Sequence, residues 1–288
     1  MAAEPPVAPL DVPGLTWFPS GQSALSGDLL ELDGRLDGVF RGWADQRRAT
    51  QYRVPTFIAV ADLARLDYFH SFPHLVTFPV SLEASADNLA RFAAQPAAGG
   101  EVRLTETSPV RDVLTPAACY HFYSLLRGRT LSGPVYLTTR ATCFRREAYY
   151  APLERQWSFS MREIVCLGTA DEVKGFLDAE QARVAAFAAR LGLPLALQNA
   201  TDPFFNPSRN PKYLMQKLEP VKTEMVFQGR LAIGSLNFHR NYFGEAFEIR
   251  RDGGEVFSGC VAFGIERWIA AIVRQFGPKA GDWPRLSA

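Results

Sequence analysis

Residues 141–167 read ATCFRREAYYAPLERQWSFSMREIVCL. The run to Tyr150 is rich in strand formers, a proline-containing turn follows at residues 151–154, and a second strand-like run returns from Trp157. Side chains alternate faces along a strand, so Arg145 and Glu147 point the same way. On the returning run Phe159, Met161, Glu163 and Val165 share a face. One sheet face therefore gathers a guanidinium, two carboxylates and an aromatic ring. Two readings fit: a solvated rim of charges on an antiparallel sheet, or a site for a flat anionic ligand. The second needs arginine for phosphate, a ring for stacking and a carboxylate for an exocyclic amine.

The 288 residues suffice for one large domain or two small ones with a sizeable core. With 47% hydrophobic and 21% charged residues the composition is that of an ordinary soluble protein. A net charge of +1 argues against a broad electrostatic grip on nucleic acid. The start, MAAEPPVAPLDVPG, lacks a basic segment followed by an apolar core, and no run approaches the roughly 20 apolar residues of a membrane span. The expectation is a cytoplasmic protein, away from membranes, with reduced thiols. Cys119, Cys143, Cys166 and Cys260 are scattered without a CxxC pair, so their spacing carries no zinc signal. On spacing alone they are ordinary half-buried cysteines.

Residues 1–13 are Pro/Ala-rich and expected to be loose; residues 14–288 are expected to form a single domain with an insertion at about 170–218. Short β-like runs lead to a helix over Leu29–Arg47, with Leu30, Leu32, Leu36, Val39, Phe40 and Trp43 apolar. A second helix is expected after Pro55, carrying Phe57, Val60, Leu63 and Leu66, and a short one within 85–100. The periodicity predicts a long helix from Ala170 to Gly192, capped near Asp171. A loop-rich stretch with Pro203, Pro207 and Pro211 follows. Asp252-Gly253-Gly254 signals a hairpin turn. A last helix from Ile265 carries Trp268, Ile269, Ile272, Val273 and Phe276, with Arg267 off that stripe.

FRRE, a loop, then FSMRE resembles motif 2 of class II aminoacyl-tRNA synthetases, in the seryl branch. YFHSFPHLVTFPVSL resembles the degenerate motif 1, a strand ending in proline at the dimer interface, and SGCVAFGIERW resembles motif 3. Three motifs in this order imply a class II α/β (α+β) catalytic domain, a mainly antiparallel sheet flanked by helices. By resemblance Arg145 holds the α-phosphate of ATP, Glu147 touches adenine, Phe159 stacks on it, and Arg267 contacts the γ-phosphate. Arg145 and Arg267 are then the catalytic pair. Glu224 matches an acidic residue of the ATP site and Asn237 a substrate-binding position.

Seryl-tRNA synthetases carry a Thr-x-Glu triplet ahead of motif 2 that grips the amino group. Here the residues are Ala117-Ala118-Cys119. Methanogenic-type seryl enzymes, and the bacterial amino acid:carrier-protein ligases similar to them, instead hold Zn²⁺ with Cys, Glu and Cys and leave a position open for the amine. The resemblance places these ligands at Cys119, Glu163 and Cys260, expected on three separate strands. The segment before Tyr68 lacks heptads and basic excess, and little sequence follows Phe276, so no tRNA-holding module is expected. The whole chain is thus identified as a member of the carrier-protein ligase family.

That implies a ligase, homodimeric, with one Zn²⁺ per subunit and Mg²⁺ alongside ATP. A small amino acid, glycine or alanine, becomes an aminoacyl-adenylate and passes to the phosphopantetheine thiol of a holo carrier protein. The helix from Ala170 and the loop from Asp202 to Tyr213 are the expected docking surface. Charging of tRNA or another small acceptor is the alternative within enzymes. A non-catalytic regulatory paralogue is the alternative outside them.

Overall fold

The computed structural model describes residues 10–95, 99–252 and 254–286. A seven-stranded sheet contains, in chain order, β1 (Thr50–Tyr52), β2 (Val135–Phe144), β3 (Ser158–Gly168), β4 (Leu195–Ala200), β5 (Lys222–Phe227), β6 (Leu231–Arg240) and β7 (Phe257–Gly264). Their spatial order is β1-β2-β3-β7-β6-β5-β4. Only β1 runs parallel to its neighbour, and the other pairings are antiparallel. The helices that matter here are α1 (Gly27–Gln46), α2 (Tyr120–Leu125), α3 (Ala170–Leu191), α4 (Pro211–Leu218) and α5 (Ile265–Phe276).

The twofold period of the strands sorts residues between two worlds. Arg162, Ile164, Cys166, Val261 and Phe263 point toward α1, α3 and α5, where Phe263 stacks on Phe40 at 3.9 Å and Trp268 is fully buried. On this side both oxygens of Asp37 clamp Arg162 at 2.8 Å, and Asp33 pairs with Arg140 at 2.7 Å, so two ion pairs seat α1 on the sheet. Phe159, Met161, Glu163, Cys260 and Asn237 face the other way, into a cleft. The fold is that expected: a mainly antiparallel sheet with flanking helices.

α3 starts with a capping box, Thr169 accepting from the Glu172 amide while Glu172 accepts from the Thr169 amide, and ends at Gly192 with φ +71°. Thr169 therefore takes the cap expected near Asp171. In α1 the buried positions include Leu29, whereas Leu30 is exposed. Other expectations need correction. β2 stops at Phe144 instead of running to Tyr150, because Ala151 and Arg155 close a tight loop. Motif 1 forms no strand. Tyr68–Ser71 is a helical turn, and the segment beyond makes one local turn bond (Leu75 N–H to the Phe72 carbonyl) and scattered single bonds, accepting at Leu75 from Arg146, at Thr77 from Leu114 and at Ser81 from Ser108. Pro73 and Pro79, which have no N–H, interrupt any ladder there.

After Pro55, Phe57–Ala59 is a strand paired with Asp112–Leu114, and the helix is limited to Val60–Arg65. The stretch read as loop supplies β4 and α4. Of the turn signal Asp252-Gly253-Gly254, Gly253 lies outside the described residues, as do residues 1–9 of the N-terminal stretch. Among the described residues no helix is long and apolar enough to cross a membrane.

Candidate active site

The cleft face of the sheet opens into a cavity of about 610 Å³. Every sequence-predicted site residue lines it: Arg145, Glu147, Phe159, Arg267, Glu224, Asn237, Cys119, Glu163 and Cys260. Arg145 sits one residue past β2, its amide bonded to the Trp157 carbonyl at 2.9 Å. Its Nε donates to the Pro116 carbonyl at 2.9 Å, and the guanidinium lies 5.3 Å from the centroid of Phe159. A cation held over a ring in this way is fixed in direction as well as place. Glu147 lies beyond the strand and pairs with Arg155 at 2.7 Å.

Arg267, off the apolar stripe of α5, lies in the cavity wall. Its Nε and Nη1 donate to the carbonyls of Glu154 and Ala232 at 2.7 and 2.8 Å. Burial, then the positive charges of Arg155 and Arg145, hold its pKa below the usual guanidinium range. A buried guanidinium with two further arginines nearby suits a polyanion. Next to it Glu266, which the sequence reading passed over, accepts from the Ser160 amide at 2.8 and 2.9 Å, and burial pushes its pKa up to about 7.

At the other end of the cavity Cys119, Glu163 and Cys260 bring one donor atom each within 4.8 Å of one another. They are 4%, 1% and 2% exposed. Glu163 and Cys260 come from β3 and β7, but Cys119 is not on a strand; it caps the N-terminus of α2. Glu163 Oε1 accepts from the Ala118 amide at 3.0 Å, whereas Oε2 is buried with no hydrogen-bond partner among the described residues. Burial, then the nearby Cys260, pushes the Glu163 carboxyl up to about 8. Donation from Cys119 lowers the Cys260 thiol well below its usual range and leaves Cys119 well above. An orphaned carboxylate oxygen beside two thiols is a donor set that a thiophilic divalent ion fits. By contrast Cys143 and Cys166 are fully buried in apolar surroundings, which push both thiols up.

Between these ends, Lys222 bridges Glu224 at 3.2 Å and Asp202 at 3.1 Å, and Gln216 of α4 bonds Asp202 at 2.9 Å. Asn237 reaches Cys260 Sγ at 3.3 Å. His239, also passed over, faces the same sulfur; its place two residues from Asn237 on one strand was the available signal.

Residues 107–276 match the family model described as the tRNA synthetase class II core domain (G, H, P, S and T). Amino acid--[acyl-carrier-protein] ligase 1 of Bradyrhizobium diazoefficiens is 35% identical over 240 residues, covering 81% of this chain and 73% of the relative. The chain belongs to the amino acid:carrier-protein ligase family. Ligase 2 of the same organism is 33% identical over 276 residues, covering 92% of this chain and 80% of the relative. Among solved structures, the seryl-tRNA synthetase of Methanopyrus kandleri, crystallised with a tRNASec of A. aeolicus, superposes with a TM-score of 0.77 at 21% identity. That match covers 94% of this ligase-family chain and 56% of the synthetase, and it bears on fold alone.

Proposed function

We propose that the chain activates a small amino acid, glycine or alanine, with ATP and transfers it to the phosphopantetheine thiol of a carrier protein. The observation that carries this reading is the Cys119/Glu163/Cys260 cluster on the floor of the cavity that also holds Arg145, Phe159 and Arg267. Cys119, Glu163 and Cys260 would hold Zn²⁺, which would supply a Lewis-acid position for a free α-amine.

The substrate carboxylate oxygen attacks the α-phosphorus, the bond to the β-phosphate oxygen breaks, and pyrophosphate leaves. The nucleophile is already an anion, so this step needs no general base. Arg145, aimed by Pro116 and Phe159, meets the charge that builds on the α-phosphate, and Arg267 meets the departing phosphates, with Mg²⁺ travelling on ATP. Glu147 takes the adenine amine in this reading, Phe159 the ring, and Glu224 and Asn237 the substrate; all four line the cavity. A thiolate then attacks the adenylate carbonyl, the bond to AMP breaks, and a thioester forms. The loop from Asp202 and α3 offer the carrier-docking surface.

Pyrophosphate exchange with each amino acid, followed by transfer of label to holo carrier protein or to bulk tRNA, tests this. Glycine- or alanine-dependent exchange and labelled carrier are expected. Label on tRNA alone, or no exchange with any amino acid in zinc-loaded protein, refutes it.

A further inference from the structure

β6 does not run evenly past β7. Asn237 pairs with Cys260 and Phe238 with Gly259, and then the register slips so that Arg240, at φ +55°, pairs with Ser258. His239 is the extra residue of a bulge. Bulges beside sites re-aim a side chain, and this one turns the imidazole toward Cys260. Its Nε2 lies 3.6 Å from Cys260 Sγ, with Asn237 Nδ2 on the same sulfur at 3.3 Å.

The other ring nitrogen is also engaged. His239 Nδ1 lies 3.1 Å from Tyr123 OH and 3.2 Å from Ser258 Oγ. With one of these hydroxyls donating to the single lone pair of Nδ1, the ring proton sits on Nε2 and faces the sulfur. The opposite tautomer would set a nitrogen lone pair against a thiolate. Tyr123 is itself fully buried and stacked on Phe243 at 3.9 Å.

Two thiolates and a carboxylate place three negative charges around a divalent ion. Each thiolate pushes electron density onto the metal and makes it a poorer acceptor for a neutral amine. N–H···S bonds draw density back toward the sulfur. Partners of metal ligands orient them and tune the metal in this way. We propose that His239 and Asn237 are positioning residues that aim Cys260 by two N–H···S bonds and keep the bound ion a strong acceptor for the substrate's amine. This rests on the metal reading above and gives Asn237 a task at the sulfur as well as at the cavity wall.

Co²⁺ substituted for Zn²⁺ reports on the sulfur directly, through its thiolate-to-metal charge-transfer band. His239→Phe keeps a ring and loses the donor, whereas His239→Gln returns an N–H of similar reach. In His239→Phe the band is expected at lower energy with the ligand-field bands retained, and chelator competition is expected to read about a 10-fold loss of affinity. His239→Gln is expected to recover most of both. An unmoved band in cobalt-loaded His239→Phe, or a His239→Gln protein that matches it, overturns the inference. If His239→Phe does not fold, the pair Tyr123→Phe with Ser258→Ala, which frees Nδ1, is read on the same band: a shift supports the inference and no shift overturns it. Wild-type protein that takes up neither Co²⁺ nor Zn²⁺ overturns the metal reading itself.

Discussion

Replacing Glu163 with glutamine removes one anionic ligand without opening a cavity. The side chain is 1% exposed, and the amide oxygen still serves the Ala118 N–H now bonded at 3.0 Å. What changes is Oε2, the atom with no partner, which becomes an NH₂ facing sulfur. Structural Zn²⁺ binds with apparent free energies of about 10–16 kcal/mol over four ligands, or about 2.5–4 kcal/mol per ligand. At about 1.4 kcal/mol per decade, affinity for Zn²⁺ is expected to fall about 10²- to 10³-fold. By mass action a 100-fold loss removes about 2.7 kcal/mol of the ion's contribution to stability. Competition against a chromophoric chelator reads the affinity, and thermal unfolding with and without EDTA reads the linkage. Burial already pushes the Glu163 carboxyl up to about 8, so near neutral pH the metal-free proteins are expected to melt together. The gap between zinc-loaded and EDTA-treated melts is expected to shrink in the variant alone. A Glu163→Gln protein that binds Zn²⁺ as tightly as wild type, with an equal gap, refutes the reasoning.

Phe159→Ala removes the ring under Arg145 and is expected to raise KM for ATP about 10-fold in pyrophosphate exchange, with a smaller change in kcat; an unchanged KM counts against a stacked base. Asp37→Ala strands Arg162, which is 2% exposed, and is expected to cost about 3–5 kcal/mol in urea unfolding, while Asp37→Leu with Arg162→Met recovers most of it. Glu266 has a folded pKa raised to about 7, so its contribution is full below the ordinary carboxylate range and is lost as pH rises through 7. Glu266→Gln is therefore expected to flatten that loss, by about 1–3 kcal/mol between pH 4 and pH 8; parallel stability curves would contradict the assignment.

The hairpin around motif 2 was readable because strand alternation is a local rule: Phe159, Met161 and Glu163 had to share a face once the strand existed. α3 and α5 were readable from apolar spacing and their ends. Motif 1 misled because its apolar residues pack individually, without a ladder, and strand-like composition does not reveal which amides find partners. Cys119 was placed on a strand for a similar reason, since nothing local distinguishes a residue that caps a short helix. The anchoring of Arg267 was not legible locally, because the carbonyls that hold it, Glu154 and Ala232, lie far off in sequence. His239 was open to a reading by alternation from Asn237, whereas the register slip beside it is created only by the pairing of two distant strands.

The alternation of β3 has a consequence for how such a protein changes over time. Arg162 belongs to the helix-covered side and Glu163 to the cleft, one residue apart. Deleting a single residue from the strand would thrust the guanidinium among the thiols and bury the carboxylate under α1, so scaffold and chemistry would fail in one step. New acceptors or amino acids must then arise by substitution within strands, or by lengthening the connections between them. Insertions there shift no register.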